Sequence, residues 1–239
     1  MNHQKKTSKF PSNLYRAEQV RALDKIMIEQ GVPGFTLMRR AGKEVFRRLL
    51  TAYPDPEKIT VFCGTGNNGG DGYVVATLAC QYGISVEVVE CGDSTKIIGD
   101  ALQARQHAQQ DGIKMTQFSQ QMRVESGVIV DALLGIGLVG NVRGISARVI
   151  SFINSCACPV IAVDIPSGLC ADTGAVLGEA VAATYTISFI GLKQGLLTGA
   201  GPDYTGEMYF TDLLISETVP QSVFQQVAVS SECLDLATV

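Results

Sequence analysis

From residue 58 the chain alternates short β-branched runs with stretches of helical spacing, and no other feature restricts its architecture as much. Ile59–Cys63, Val86–Glu90, Val128–Val130, Val160–Asp164 and Thr184–Phe189 read as strands, with Glu207–Thr211 as a late one. Asp71–Gln81, Ile98–Gln110 and Ile145–Asn154 read as helices between them. A strand that returns to its sheet through a helix lies parallel to its predecessor, so the expected class is α/β with a mostly parallel central sheet. Apolar residues at 46% and charged ones at 18% suit a sheet buried on both faces. A length of 239 residues fits one large α/β domain or two small ones, and without a linker in view the chain is read as a single domain over 1–239, with 1–14 and 219–239 as peripheral or tail segments. Ahead of the alternation, Ala17–Gln30 and Gly34–Leu50 read as two packing helices, with Arg39, Arg40, Arg47 and Arg48 on a solvated face.

Composition narrows the chemistry. A net charge of −4 disfavours a nucleic-acid partner. With only His3 and His107, a Ser-His-Asp triad or a multi-histidine metal site lacks raw material. Seven cysteines without a CxxC pair read as reduced thiols. Cys156 and Cys158 are expected to pack beneath the next strand. No run approaches the roughly 18 apolar residues of a membrane helix, and Met1–Pro11 lacks the apolar stretch of a secretory signal. The expectation is a soluble cytoplasmic protein without a membrane partner.

The chemistry-bearing residues sit at strand ends, where open α/β sheets collect ligands. After Ile59–Cys63 come five glycines in nine residues, Gly64 to Gly72, and then a helix. Glycines at a helix start can bring backbone N–H groups up to an anion, with positive φ angles available, whereas a hairpin turned on Asn68-Gly69 is the alternative. The ending GK[ST] of a Walker loop is missing. Gly135-Ile136-Gly137-Leu138-Val139-Gly140 is a GxGxxG, with an acid, Asp164, closing the next strand; a dinucleotide fingerprint has that order, although the turn here starts late. Asp131 and Asp164 end two strands, and Ser167 follows in Asp164-Ile165-Pro166-Ser167-Gly168. These oxygens, with the Asn67 and Asn68 amides, suit a hard cation better than zinc. Asp164 in a local Asx-turn is the alternative. Lys193 is either a phosphate or proton partner or an exposed loop residue.

Together the motifs Leu37-Met38-x-Arg40-Ala41-Gly42, GNNGGDG over Gly66–Gly72, DALLGIGLVGNVRG over Asp131–Gly144 and VDIPSG over Val163–Gly168 with Asp172-Thr173-Gly174 resemble the YjeF N-terminal family. The resemblance runs over about residues 15–215 and includes the NAD(P)H-hydrate epimerases. It implies a three-layer α/β/α Rossmann-like sandwich and a homodimer. It also implies an isomerase of metabolite repair that interconverts the R and S forms of NADH and NADPH hydrated at C6 of the nicotinamide ring. One potassium ion per subunit is implied, held by Asn68, Asp131 and Ser167. Asn67, Asn68, Gly69, Gly70, Asp71 and Gly135, Ile136, Gly137, Leu138, Val139, Gly140, Asn141 would hold the substrate, with Asp164 beside the reacting ring. There Asp164 would stabilise positive charge on the ring and pass a proton. Family members often continue into a kinase-like dehydratase domain, so a fused or separate one is implied as a partner. Arg39, Ile136, Leu192 and Gln194 depart from the family's commoner residues. Two other functions fit the residues: an NAD-dependent oxidoreductase, from Gly135–Gly140 and Asp164, and a non-catalytic nucleotide-binding module.

Overall fold

A computed structural model describes residue 11, residues 13–214 and Val227. The segments expected to be peripheral therefore lie largely outside the described residues, although Leu14 is fully buried. The chain runs α1 (Ala17–Glu29), α2 (Gly34–Ala52), β1 (Ile59–Cys63), α3 (Asn67–Gln81), β2 (Val86–Glu90), α4 (Gly99–Gln110), β3 (Lys114–Gln117), β4 (Val128–Ala132), α5 (Gly144–Ser155), β5 (Val160–Val163), β6 (Tyr185–Phe189), α6 (Gly201–Thr205) and β7 (Glu207–Thr211). Seven strands form one sheet in the order β3-β2-β1-β4-β5-β6-β7, every pair parallel. The chain leaves β1 toward one edge and then crosses back to β4 on the other side. The direction of winding thus switches between β1 and β4, where ligands gather in sheets of this kind.

Strand periodicity sorts the side chains into two cores. Ile59, Val61 and Cys63 of β1, with Val128, Val130 and Ala132 of β4, pack under α2, α3 and α4. Phe62 and Ile129 face the other way, against Val149, Ile150 and Ile153 of α5. This is a three-layer α/β/α sandwich, and each fully buried aliphatic side chain in it contributes roughly 1.5–3 kcal/mol. Cys156 and Cys158 lie partly buried against the second core. The edge strand β3 escapes sequence reading because Lys114, Met115, Thr116 and Gln117 are exposed or half-buried and carry no apolar alternation.

The segment before α1 is tied to the turn beyond β6. Tyr15 N–H donates to Leu192 O at 2.8 Å and Gln194 N–H to Tyr15 O at 3.0 Å. The Asp172 carboxylate then accepts from Ala17 N–H at 2.6 Å. Of the arginines expected on a solvated face, Arg47 pairs with Glu44, Arg48 lies 4.5 Å over the Tyr209 ring and Arg40 donates to Leu213 O at 3.0 Å. Among the described residues no helix is long and apolar enough to cross a membrane.

Candidate active site

A cleft of about 620 Å³ opens above the carboxyl ends of β1 and β4. Its floor comes from the turn after β1 (Gly64 to Asn68), the segment after β4 (Leu133 to Val139) and the ends of β5 and β6 (Asp164, Phe189, Ile190). Its outer wall comes from α1 and α2, through Val20, Arg21, Asp24, Leu37 and Met38 among others. These two helices, read from sequence as packing, therefore also shape the site. Their apolar spacing gave no hint of it, because a wall of Val, Leu and Met looks the same whether it faces a core or a ligand.

The glycine run is not a loop. Gly66 caps α3 with φ −98°, and the helix begins at Asn67, four residues earlier than the apolar pattern suggests. None of Gly64, Gly66, Gly69, Gly70 and Gly72 uses a positive φ. Four of the five are glycine for want of room instead. A Cβ at Gly64 would meet Leu133 O at 1.9 Å, at Gly69 Gly64 O at 2.1 Å, at Gly70 Met38 Cε at 2.5 Å and at Gly72 Ala132 Cβ at 2.6 Å. Close packing sinks the start of α3 onto β1 and β4, which carries Asn67, Asn68 and Asp71 to the cleft while Gly69 and Gly70 serve the packing. The helix start still presents unpaired N–H groups, the feature that suits an anion.

The segment Gly135–Gly140 does not form a dinucleotide turn. β4 runs through Asp131 to Ala132, and α5 begins only at Gly144, so no helix N-terminus follows the glycines directly. Gly135, Ile136, Gly137, Leu138 and Val139 line the cleft, whereas Gly140 and Asn141 are exposed beyond it. Ile136 O accepts from Arg21 Nη1 of α1 at 3.3 Å, which joins floor to wall.

Asp131 lies inside β4, not beyond it, and is fully buried. Ser167 Oγ donates to its Oδ1 at 2.6 Å, Ser167 N–H to its Oδ2 at 2.8 Å and Leu133 N–H to Oδ1 at 3.2 Å. Asn68 Nδ2 donates to Leu134 O at 3.0 Å, so the start of α3, the end of β4 and the turn after β5 are knotted together. Gly168, at φ +94°, makes this turn possible, since a Cβ there would meet Glu179 O at 1.9 Å. Burial pushes the Asp131 carboxyl up to about 6 despite these three hydrogen bonds. No cationic side chain is paired with it among the described residues. One buried carboxylate among carbonyl, amide and hydroxyl oxygens is a donor set that fits a hard monovalent cation. Among the described residues no three His, Cys, Asp or Glu side chains gather to hold a metal ion by themselves.

Asp164 directly follows β5 at φ +67°, and Ile190 directly follows β6 at φ +71°. Each is the centre of a three-residue turn: Ile165 N–H donates to Val163 O at 2.8 Å and Gly191 N–H to Phe189 O at 2.9 Å. Such turns are strained, most of all at a β-branched residue, and cost about 1–3 kcal/mol. Both reach the same cleft. Asp164 Oδ1 accepts from Lys193 Nζ and from Phe189 N–H, the latter at 3.2 Å. Lys193 is fully buried, which removes the exposed-loop alternative; burial lowers its pKa and Asp164 opposes that. Asp24 of α1, which sequence reasoning passed over, also faces the cleft, and its pKa is raised by burial and then by Asp100 and Asp164. An aspartate in an amphipathic helix carries no signal that its face turns to a ligand.

The family described as YjeF-related protein N-terminus matches residues 34–195. The chain is 40% identical over 211 residues to the bifunctional NAD(P)H-hydrate repair enzyme Nnr of Coxiella burnetii, covering 88% of this chain and 43% of that protein. It thus spans less than half the length of such bifunctional relatives. Two shorter relatives are described as NAD(P)H-hydrate epimerases. The one from Legionella pneumophila is 34% identical, over 95% of this chain and 86% of its own, and the one from Limosilactobacillus fermentum 39%, over 82% and 94%. The crystal structure of the yeast protein ynu0 has the same fold, with a TM-score of 0.77 at 18% identity over 93% of this chain and 99% of its own.

Proposed function

The chain belongs to the YjeF-related N-terminal family, and we propose that it is an NAD(P)H-hydrate epimerase, an isomerase acting in nicotinamide cofactor repair. The observation that carries the reading is the Asp164–Lys193 ion pair at the floor of a cleft sized for a nucleotide. Exchanging the C6 hydroxyl between faces requires the C6–O bond to open and re-form, and positive charge then spreads over C6 and the ring nitrogen. A carboxylate fixed by Lys193 and the Phe189 N–H needs no rearrangement to stabilise that charge, and this is the role of Asp164. The cleft residues Asn67, Asn68, Gly135, Ile136 and Val139 bind and orient the dinucleotide, with the start of α3 directed at its phosphates.

Potassium fits beside Asp131, with Asn68, Ser167 and Leu134 O supplying further oxygens; when bound it supplies positive charge that offsets the buried carboxylate and attracts phosphate. Six free cysteines among the described residues are in keeping with a reducing cytoplasm. A homodimer belongs to the same reading, tested by light scattering. The deciding experiment separates R and S NADH hydrate chromatographically and follows each with the purified chain. Interconversion is expected. Net change in reduced-nicotinamide absorbance would favour an oxidoreductase instead, and nucleotide binding without turnover a non-catalytic module.

A further inference from the structure

Two carboxyl groups meet in the cleft with opposite surroundings. Asp164 accepts on Oδ1 from Lys193 Nζ, Phe189 N–H and Ser188 Oγ. Asp71, the fifth residue of α3, lines the same cleft at 7% exposure, yet among the described residues nothing is hydrogen-bonded to its carboxyl group. Lys193 is the buried cation nearest to hand, but an ammonium has only three N–H bonds. Those go to Asp164 Oδ1, Phe189 O at 2.8 Å and Ser188 Oγ at 3.3 Å. An ionised Asp71 would be a second buried negative charge with no donor of its own, beside Asp164.

We propose that Asp71 is the general acid of the reaction, its carboxyl O–H aimed into the cleft for a ligand oxygen that no protein group replaces. The assignment deepens the epimerase reading and rests on it. Burial, then the charges of Asp164 and Asp24, hold the Asp71 carboxyl well above the usual carboxylate range, against a smaller opposing pull from Lys193. Asp24 from α1, Cys63 at the end of β1 and the Asp164–Lys193 pair act on it directly, and Arg21 of α1, Cys91 after β2 and Asp100 of α4 are the other titratable or charged groups lining the cleft. One carboxyl group held by a buried ammonium and a second without a donor, in one cleft, are the arrangement of an electrostatic partner and an acid. In the step, the C6–O bond breaks with its electron pair on oxygen, and the Asp71 proton joins that oxygen, so water leaves. The ring cation stands against Asp164, and Asp71 is left as carboxylate. Water then adds to C6 from the opposite face and releases one proton; Asp71 recovers its proton from the cleft water, and none is consumed.

The test uses the purified chain, resolved R and S NADH hydrates, and the Asp71→Asn variant. The wild type is expected to lose rate toward alkaline pH, and the variant to lower kcat by about 100- to 10,000-fold with KM nearly unchanged and without that alkaline fall. The wild type is also expected to show the infrared band of a protonated carboxyl group at the pH of its highest rate, absent from Asp71→Asn. A wild type that does not interconvert the hydrates overturns the epimerase reading and this assignment with it. A wild type that does, beside an equally active variant, overturns only the assignment. So does a wild type without that band, a measurement that needs no variant to fold.

Discussion

Gly64 and Gly66 stand two residues apart in the same turn and have opposite reasons to be there. A methyl group on Gly64 would collide with the Leu133 carbonyl, which is backbone and cannot swing aside, whereas nothing lies within 4 Å of one on Gly66. Gly64→Ala is therefore expected to cost about 3 kcal/mol of stability and Gly66→Ala almost none, as read from urea unfolding midpoints at constant slope. The same residue type at neighbouring positions thus separates packing from site geometry. At Asp164 the expectation concerns rate: Asp164→Asn removes the charge that faces the ring while keeping the side chain's shape. Loss of most R/S interconversion with nucleotide binding retained is the expected outcome, and equal rates for variant and wild type would discard Asp164. Sequence alone made Asp164 and Asp131 visible because an acid at the end of an apolar run is conspicuous. Lys193 stayed ambiguous because nothing in its neighbours tells burial from exposure, and Asp24 was silent.

At the scale of elements, the buried strands and amphipathic helices were legible because their periodicities are strong. The start of α3 was not, since glycine lowers helix propensity and only contact with α2, β1 and β4 outweighs that. The edge strand β3 owes its place to polar ties that leave no apolar pattern. Glu87 of β2 meets Lys58 at 2.6 Å and Lys114 at 3.0 Å, while Glu90 accepts from Tyr73 OH at 2.9 Å, Arg105 Nε at 2.6 Å and Gln117 Nε2 at 2.9 Å. Burial works to raise the pKa of Glu87, but the hydrogen bonds and charges of Lys58 and Lys114 outweigh it and the net direction is down. A carboxylate depressed on folding adds stability above its unfolded value of about 4.3 and loses it as pH falls through the folded value. Glu87→Gln should therefore cost about 0.5–1 kcal/mol at neutral pH and nothing in strong acid, compared by urea titrations at the two pH values.

Across the whole molecule, the winding order puts the point of reversal at the centre of the sheet and gathers remote stretches of chain over it. Asp131 is the common tie, and under the potassium proposal its buried carboxyl couples cation binding to folding. Replacing choline chloride by potassium chloride is expected to raise Tm, by about 2–4 °C for each kcal/mol of binding, and Asp131→Asn is expected to erase the difference. Equal melting of the wild type in both salts would remove the ion from the site. The stitch between Tyr15 and the turn holding Lys193 has a further consequence. The opening stretch of polypeptide braces, from behind, the ammonium that neutralises Asp164. Because these ties run from backbone to backbone, a substitution at Tyr15 acts instead through its buried ring, which clusters with Ile136 and Ile190 of the cleft, and so can shift the site from its rear without ever meeting a ligand.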